Sequence, residues 1–119
     1  MFDIAHDKIQ DLLNQAILNA QKLDLIPKIE AIEFSLERPQ IEKHGDFASN
    51  LALKLSNKVK LTPIVLAQKL IELIPKNEII ERIWEEHPGF INIEISTRWL
   101  QAQIDVIINL NSNYGVYTS

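Results

Sequence analysis

The stretch Pro88-Gly89-Phe90-Ile91-Asn92-Ile93-Glu94-Ile95 has the strictest periodicity in the chain and decides how the sheet is built. A turn dipeptide opens it. Apolar and polar residues then alternate, so Ile91, Ile93 and Ile95 point one way and Phe90, Asn92 and Glu94 the other. This is the pattern of a strand with one face in a core. The other face is unusual for a purely structural strand, because a large aromatic and a carboxamide stand two residues apart on it. Phe90 offers a flat ring on which a nucleobase can stack, and Asn92 carries both a donor and an acceptor. The pattern leaves two placements for Phe90: outward on the free face, or turned into the core at the strand end.

Working outward, residues 79–86 read as a second strand, and Pro88-Gly89 joins the two as a hairpin. Before them, Thr62 can cap a helix with Pro63 at its first position and Leu61 stapled onto Leu66. Leu66, Leu70, Leu73 and Ile74 face the core until Pro75. Upstream lies His44-Gly45-Asp46-Phe47-Ala48-Ser49-Asn50-Leu51-Ala52-Leu53-Lys54-Leu55. Here Gly45-Asp46 breaks the chain and Ala48, Leu51, Ala52 and Leu55 have helical spacing, which predicts a helix capped by Asp46. Residues 32–37 alternate as a half-buried strand, Arg38-Pro39 ends it, and residues 40–43 are either loop or a short return strand. Residues 3–25 predict an opening helix through Ile4, Ile9, Leu12, Leu13, Ala16, Ile17, Ala20 and Leu23, stopped by Pro27. A last helix starts at Ser96 or Thr97, buries Trp99, Leu100, Ile104, Ile107 and Ile108, and stops at Asn113-Tyr114-Gly115.

This order predicts an α+β two-layer sandwich, a small β-sheet with helices on one face. Phe90 and Asn92 then lie on the free face, and Asn92→Ala is expected to change stability little. The 119 residues suffice for one domain, read as residues 1–112, with 113–119 beginning a polar linker. The absence of cysteine excludes a disulfide framework and fits a reducing cytoplasm. No apolar run approaches the roughly 20 residues of a membrane span, and the acidic start lacks the basic region of a signal peptide. A net charge of −4 argues against a protein that grips nucleic acid by charge alone. A monomer is expected, since no large apolar stripe remains once the helices are packed.

His6, His44 and His87 are scattered with no ligand spacing, so no metal site is expected. His44-Gly45-Asp46 lacks a nucleophile, and Asp46 is assigned to capping, so no catalytic residue is named. Gly45 and Gly89 are isolated and form no phosphate-cradling loop. Glu81, Glu85 and Glu86 read as a solvated strand face. Lys54, Lys58 and Lys60 are either an ordinary exposed helix face or a phosphate-contact patch.

Residues 44–55, the helix led by Pro63, and Pro88-Gly89-Phe90-Ile91-Asn92-Ile93 together resemble the N-terminal additional domain of arginyl-tRNA synthetases. The Gly-Asp-Phe and Gly-Phe-x-Asn elements form a specific pair, and the similarity extends over the whole chain. The resemblance implies a two-layer fold related to a domain of ribosome recycling factor. It implies contact with the D-loop of tRNA(Arg), with Phe90 and Asn92 on the D-loop base and the lysines as weaker candidates. It also implies that the catalytic domain, with its His-x-Gly-His and Lys-Met-Ser-Lys-like motifs, lies outside this sequence. The chain alone is then non-catalytic and without cofactor, while a parent enzyme uses ATP with Mg to join arginine to tRNA. Phe at position 90, where some members carry Tyr, keeps the stacking surface and removes a phenolic hydrogen bond. A stand-alone RNA- or ribosome-binding module and a protein-interaction scaffold are the alternatives.

Overall fold

The computed structural model describes residues 2–28 and 32–113. Helix α1 (Phe2–Lys22) buries Ala5, Ile9, Leu13, Ala16, Ile17 and Ala20, a stripe at three- and four-residue spacing. Ile4 and Leu23 were expected on that stripe but are exposed. Ile4 falls on the far side of the first turn, and Leu23 lies past the last. The helix ends before Pro27. Asp24 takes a left-handed φ of 59°, and Leu25 N–H donates to the Ala20 carbonyl (2.9 Å) while Asp24 N–H donates to Gln21 (3.1 Å). These are the two bonds of a Schellman stop.

Of residues 32–37, Leu36–Glu37 alone form a ladder strand, β1. Asn50 holds the preceding stretch, its Oδ1 accepting from Ser35 N–H at 2.7 Å. Residues 40–43 are not a return strand: the chain closes into a 3-10 turn at Glu42–His44.

The helix predicted from Ala48 with Asp46 as its cap is corrected. Phe47–Ser49 form a strand, β2, and helix α2 begins afterwards, at Leu51–Ser56. Asp46 N–H donates to the Ile93 carbonyl (2.8 Å), and its carboxylate accepts from Ile95 N–H (2.8 Å). Asp46 thus extends the sheet ladder instead of capping a helix. Ser49 Oγ accepts from Leu51 N–H at 3.1 Å and supports the helix start.

Helix α3 (Pro63–Glu72) follows Thr62 with Pro63 in the first turn, but the Thr62 side chain makes no capping bond. Leu66, Ala67 and Leu70 are buried. Asn19 of α1 donates to the Leu73 carbonyl at 2.9 Å, satisfying an acceptor at the end of α3. Asn77 Oδ1 then accepts from Ile79 and Ile80 N–H (3.1 and 2.8 Å) and launches β3 (Ile80–Glu86). A turn with a cis His87-Pro88 bond leads into β4 (Phe90–Ile95). Gly89 is required there, since a Cβ would collide with Pro63.

The four strands lie in the order β1-β2-β4-β3, each neighbour antiparallel. Helices cover the face carrying Ile91, Ile93 and Ile95, which are at most 2% exposed. This is the expected two-layer α+β sandwich. Helix α4 (Thr97–Asn113) is capped by Ser96 Oγ, which accepts from Trp99 N–H at 3.2 Å. Trp99 and Leu100 pack against the core. Ile107 and Ile108 were expected to be buried, but they are 43% and 50% exposed. The helix outruns the core beneath it. The predicted stop at Tyr114-Gly115 lies outside the described residues.

Candidate nucleic-acid interface

Cross-strand register builds the outer sheet face. Arg82 opposes Glu94, Trp84 opposes Asn92, Glu86 opposes Phe90, and on the other side Ala48 opposes Asn92. Directly opposed residues project to one side, so these side chains share a face. Arg82 makes a two-pronged ion pair with Glu94, Nε–Oε1 3.2 Å and Nη2–Oε2 3.1 Å, with its guanidinium 4.8 Å from the Trp84 ring centre. The hydrogen bond to Glu94 and the attraction of its charge hold Arg82 above its ordinary pKa. Trp84 Nε1 donates to Glu86 at 2.9 Å.

The face is not open throughout. Phe90 is 37% exposed, outward as the alternation predicts, whereas Asn92 is only 2% exposed. That corrects the expectation of two solvent-facing side chains. The turn at His44-Gly45 folds over this part of the sheet. Asn92 Nδ2 donates to the His44 carbonyl at 2.7 Å, and Gly45, at φ 89°, approaches so closely that a Cβ would stand 2.7 Å from the Ile93 carbonyl oxygen. Asn92 Oδ1 is buried with no hydrogen-bond partner among the described residues. An unpaired buried acceptor costs about 1–3 kcal/mol, so this one atom calls for a partner.

Pro39, His44, Ala48, Glu86, His87, Phe90 and Asn92 line a hollow of about 290 Å³ on this face. Phe90 and Asn92 therefore meet at one site. Lys54 is exposed on α2, in the helix layer, and Lys58 and Lys60 are exposed in the connection after it. None of the three lines the hollow. Reading the sequence alone missed Trp84, Glu86 and the His44 carbonyl. The strand reading of residues 79–86, hairpin-paired with the strand that carries Phe90 and Asn92, was the available signal for the first two, while the third depends on a turn packing back onto the sheet. Among the described residues no group of His, Asp and Glu could hold a metal ion, and no helix is long and apolar enough to cross a membrane.

Residues 7–95 match the family model described as the arginyl tRNA synthetase N terminal domain. The chain is similar to an arginine–tRNA ligase of Idiomarina loihiensis, 34% identical over 106 residues, which are 89% of this chain and 18% of that protein. It is also similar to one of Psychromonas ingrahamii, 38% identical over 97 residues, 82% of this chain and 17% of that protein. The crystal structure of an arginyl-tRNA synthetase from Plasmodium falciparum has the same fold, with a TM-score of 0.68 and 20% identity over 82% of this chain and 17% of that one. The chain thus spans less than a fifth of the length of these relatives. With the fold, the Gly45-Asp46 ladder joint and the Gly89-Phe90 strand start all in place, this chain belongs to the arginyl-tRNA synthetase N-terminal domain family.

Proposed function

We propose that this chain is the tRNA-contacting module of an arginine–tRNA ligase, with Phe90 stacking on a D-loop base of tRNA(Arg) and Asn92 hydrogen-bonding its edge. The observation that carries this reading is the hollow in which a half-exposed aromatic adjoins a buried, unpartnered acceptor. A base can fill both demands at once: its π-face covers the ring and its edge reaches the carboxamide. The formal charge of −4 means that the bulk phosphate attraction comes from the rest of such a ligase, along with ATP, Mg and the joining of arginine to tRNA. The protein works in the cytoplasm in this reading, and as a monomer.

The test is the aminoacylation specificity constant of a full-length ligase carrying this domain. Phe90→Ala lowers kcat/KM for tRNA roughly tenfold, in line with a stacking contribution of about 1–3 kcal/mol, and leaves the KM for arginine and ATP unchanged. Equal losses for all three substrates would refute the assignment. A protein-facing surface is favoured by one observation, the exposed Val106, Ile107 and Ile108 on α4. We assign that stretch to contact with the remainder of the ligase, because the relatives extend far beyond the length matched here.

A further inference from the structure

We propose that Arg82, delivered to the outer sheet face by a β-bulge and locked there by Glu94 and Trp84, binds a backbone phosphate of the RNA strand whose base enters the hollow. This rests on the tRNA reading above and adds a contact that reads no base. Simple alternation does not place Arg82 outside. Ile80 opposes Ile95 on the core face, and an unbroken strand would return to that face two residues later, at Arg82. Instead the register shifts between Ile80 and Arg82: β3 advances two residues while β4 advances one, from Ile95 to Glu94. Glu81 is the extra residue of a bulge, and a bulge re-aims the side chains beside it. Ile83 then returns to the core opposite Ile93, while Arg82, Trp84 and Glu86 share the outer face.

On that face the ladder positions carry three carboxylates, Glu37, Glu86 and Glu94, and one cation, Arg82. A nucleic acid crossing the face meets charge of its own sign everywhere else on the ladder. Glu94 takes Nε–H and one N–H of Nη2 (3.2 and 3.1 Å). Of the five guanidinium N–H groups, those on Nη1 and the second on Nη2 have no partner among the described residues. The side chain is 64% exposed. The indole 4.8 Å beneath it is itself fixed, by Glu86 at Nε1 and by the Gly45 turn against its far edge. Carboxylate and ring together hold the guanidinium plane in one orientation, so little side-chain freedom is left to lose when an anion arrives. Phe90 and Glu94 are four residues apart on β4, about 13 Å of strand, too far for one base to touch both ends. Arg82 therefore meets the phosphate of a neighbouring nucleotide, a group its planar fork suits. Such a contact positions the strand and carries no sequence information.

The test titrates a tRNA(Arg) transcript into the 119-residue chain at several salt concentrations, following the Phe90 ring and Arg82 Nε–H signals by NMR. Both signals are expected to shift in the native chain. Arg82→Gln is expected to weaken binding about three- to tenfold at low salt and to lower the slope of log K against log salt by about 0.7, the share of one phosphate on a single strand. The same loss is expected with a transcript altered at the D-loop base, whereas the loss from Phe90→Ala should shrink with that transcript. Arg98→Gln changes the net charge equally from helix α4 and is expected to leave the slope as it is. Unchanged affinity and slope in Arg82→Gln would overturn the proposal and reduce Arg82 to an ion-pair partner of Glu94. A loss that disappears with the altered base would overturn the phosphate assignment, and an equal loss in Arg98→Gln would reduce the effect to bulk charge. Saturating tRNA that shifts Phe90 but not Arg82 would overturn this contact and leave the tRNA reading standing. Saturating tRNA that shifts neither would overturn the tRNA reading itself. If Arg82→Gln does not fold, the Arg82 Nε–H signal of the native chain decides alone.

Discussion

Asn92 and Phe90 stand two residues apart on one face of one strand and answer to different constraints. Phe90 is a rim residue, and under the proposed function its removal is expected to cost binding and to leave the fold alone. Asn92 is buried and supplies the donor for the His44 carbonyl, so its removal is expected to cost stability as well. Asn92→Ala is expected to destabilise the chain by about 1–3 kcal/mol, because it strands an acceptor in the interior. Chemical denaturation of the two single variants checks this: Phe90→Ala unfolds within about 0.5 kcal/mol of the native chain, as surface changes usually do, and Asn92→Ala clearly earlier. Equal midpoints would mean that the bond to His44 carries no stability.

At the scale of elements, β2 and β4 hold the sheet together and Asp46 is their joint. Asp46→Ala leaves Ile95 N–H without its acceptor in a strand end that is 2% exposed, and a loss of about 1–3 kcal/mol is expected. Hydrogen exchange should show the effect first at Ile95, with the α1 amides following only through global opening. Ile93→Ala removes a fully buried side chain from the middle of the central strand and is expected to cost about 2–5 kcal/mol by urea denaturation. Helix α4 is different in kind. Its first turn is tied to the sheet by Ser96, Trp99 and Leu100, and its far half carries isoleucines in solvent. Ile107 and Ile108 amides are therefore expected to exchange faster in the isolated chain than in a full-length ligase. Identical protection in both would contradict the assigned contact.

For the molecule as a whole, the layered arrangement separates surfaces. The hollow lies on the outer sheet face, and Lys54, Lys58 and Lys60 belong to the helix layer and the connection behind it. In the proposed reading the D-loop base sits in the hollow, which none of the three lysines lines. Replacing the three lysines by alanine is accordingly expected to change the D-loop-dependent affinity less than twofold, as judged by titrating tRNA(Arg) into the chain at fixed salt. A large drop would move the RNA path around the edge of the sheet. The chain by itself is also expected to give no arginine-dependent ATP–pyrophosphate exchange, since it spans less than a fifth of the ligases it resembles; exchange that co-purifies with it would contradict the modular reading.

What the amino-acid sequence determined by itself was whatever a local period could express. The alternation through Ile91, Ile93 and Ile95 specified the strand and its core face, the Thr62-Pro63 pair placed the start of α3, and the stripe on α1 placed the opening helix. Phe90 and Asn92 were legible as a pair for the same reason. The tertiary structure decided everything that depends on a distant segment arriving. Phe47-Ala48-Ser49 is too short to show a period, and its neighbours have helical spacing, so only pairing with β4 made it a strand. The burial of Asn92 followed from a turn 48 residues away in sequence, and the exposure of Ile107 and Ile108 from a core that ends before the helix does. A periodic pattern says which residues share a face; only packing says what, if anything, covers it.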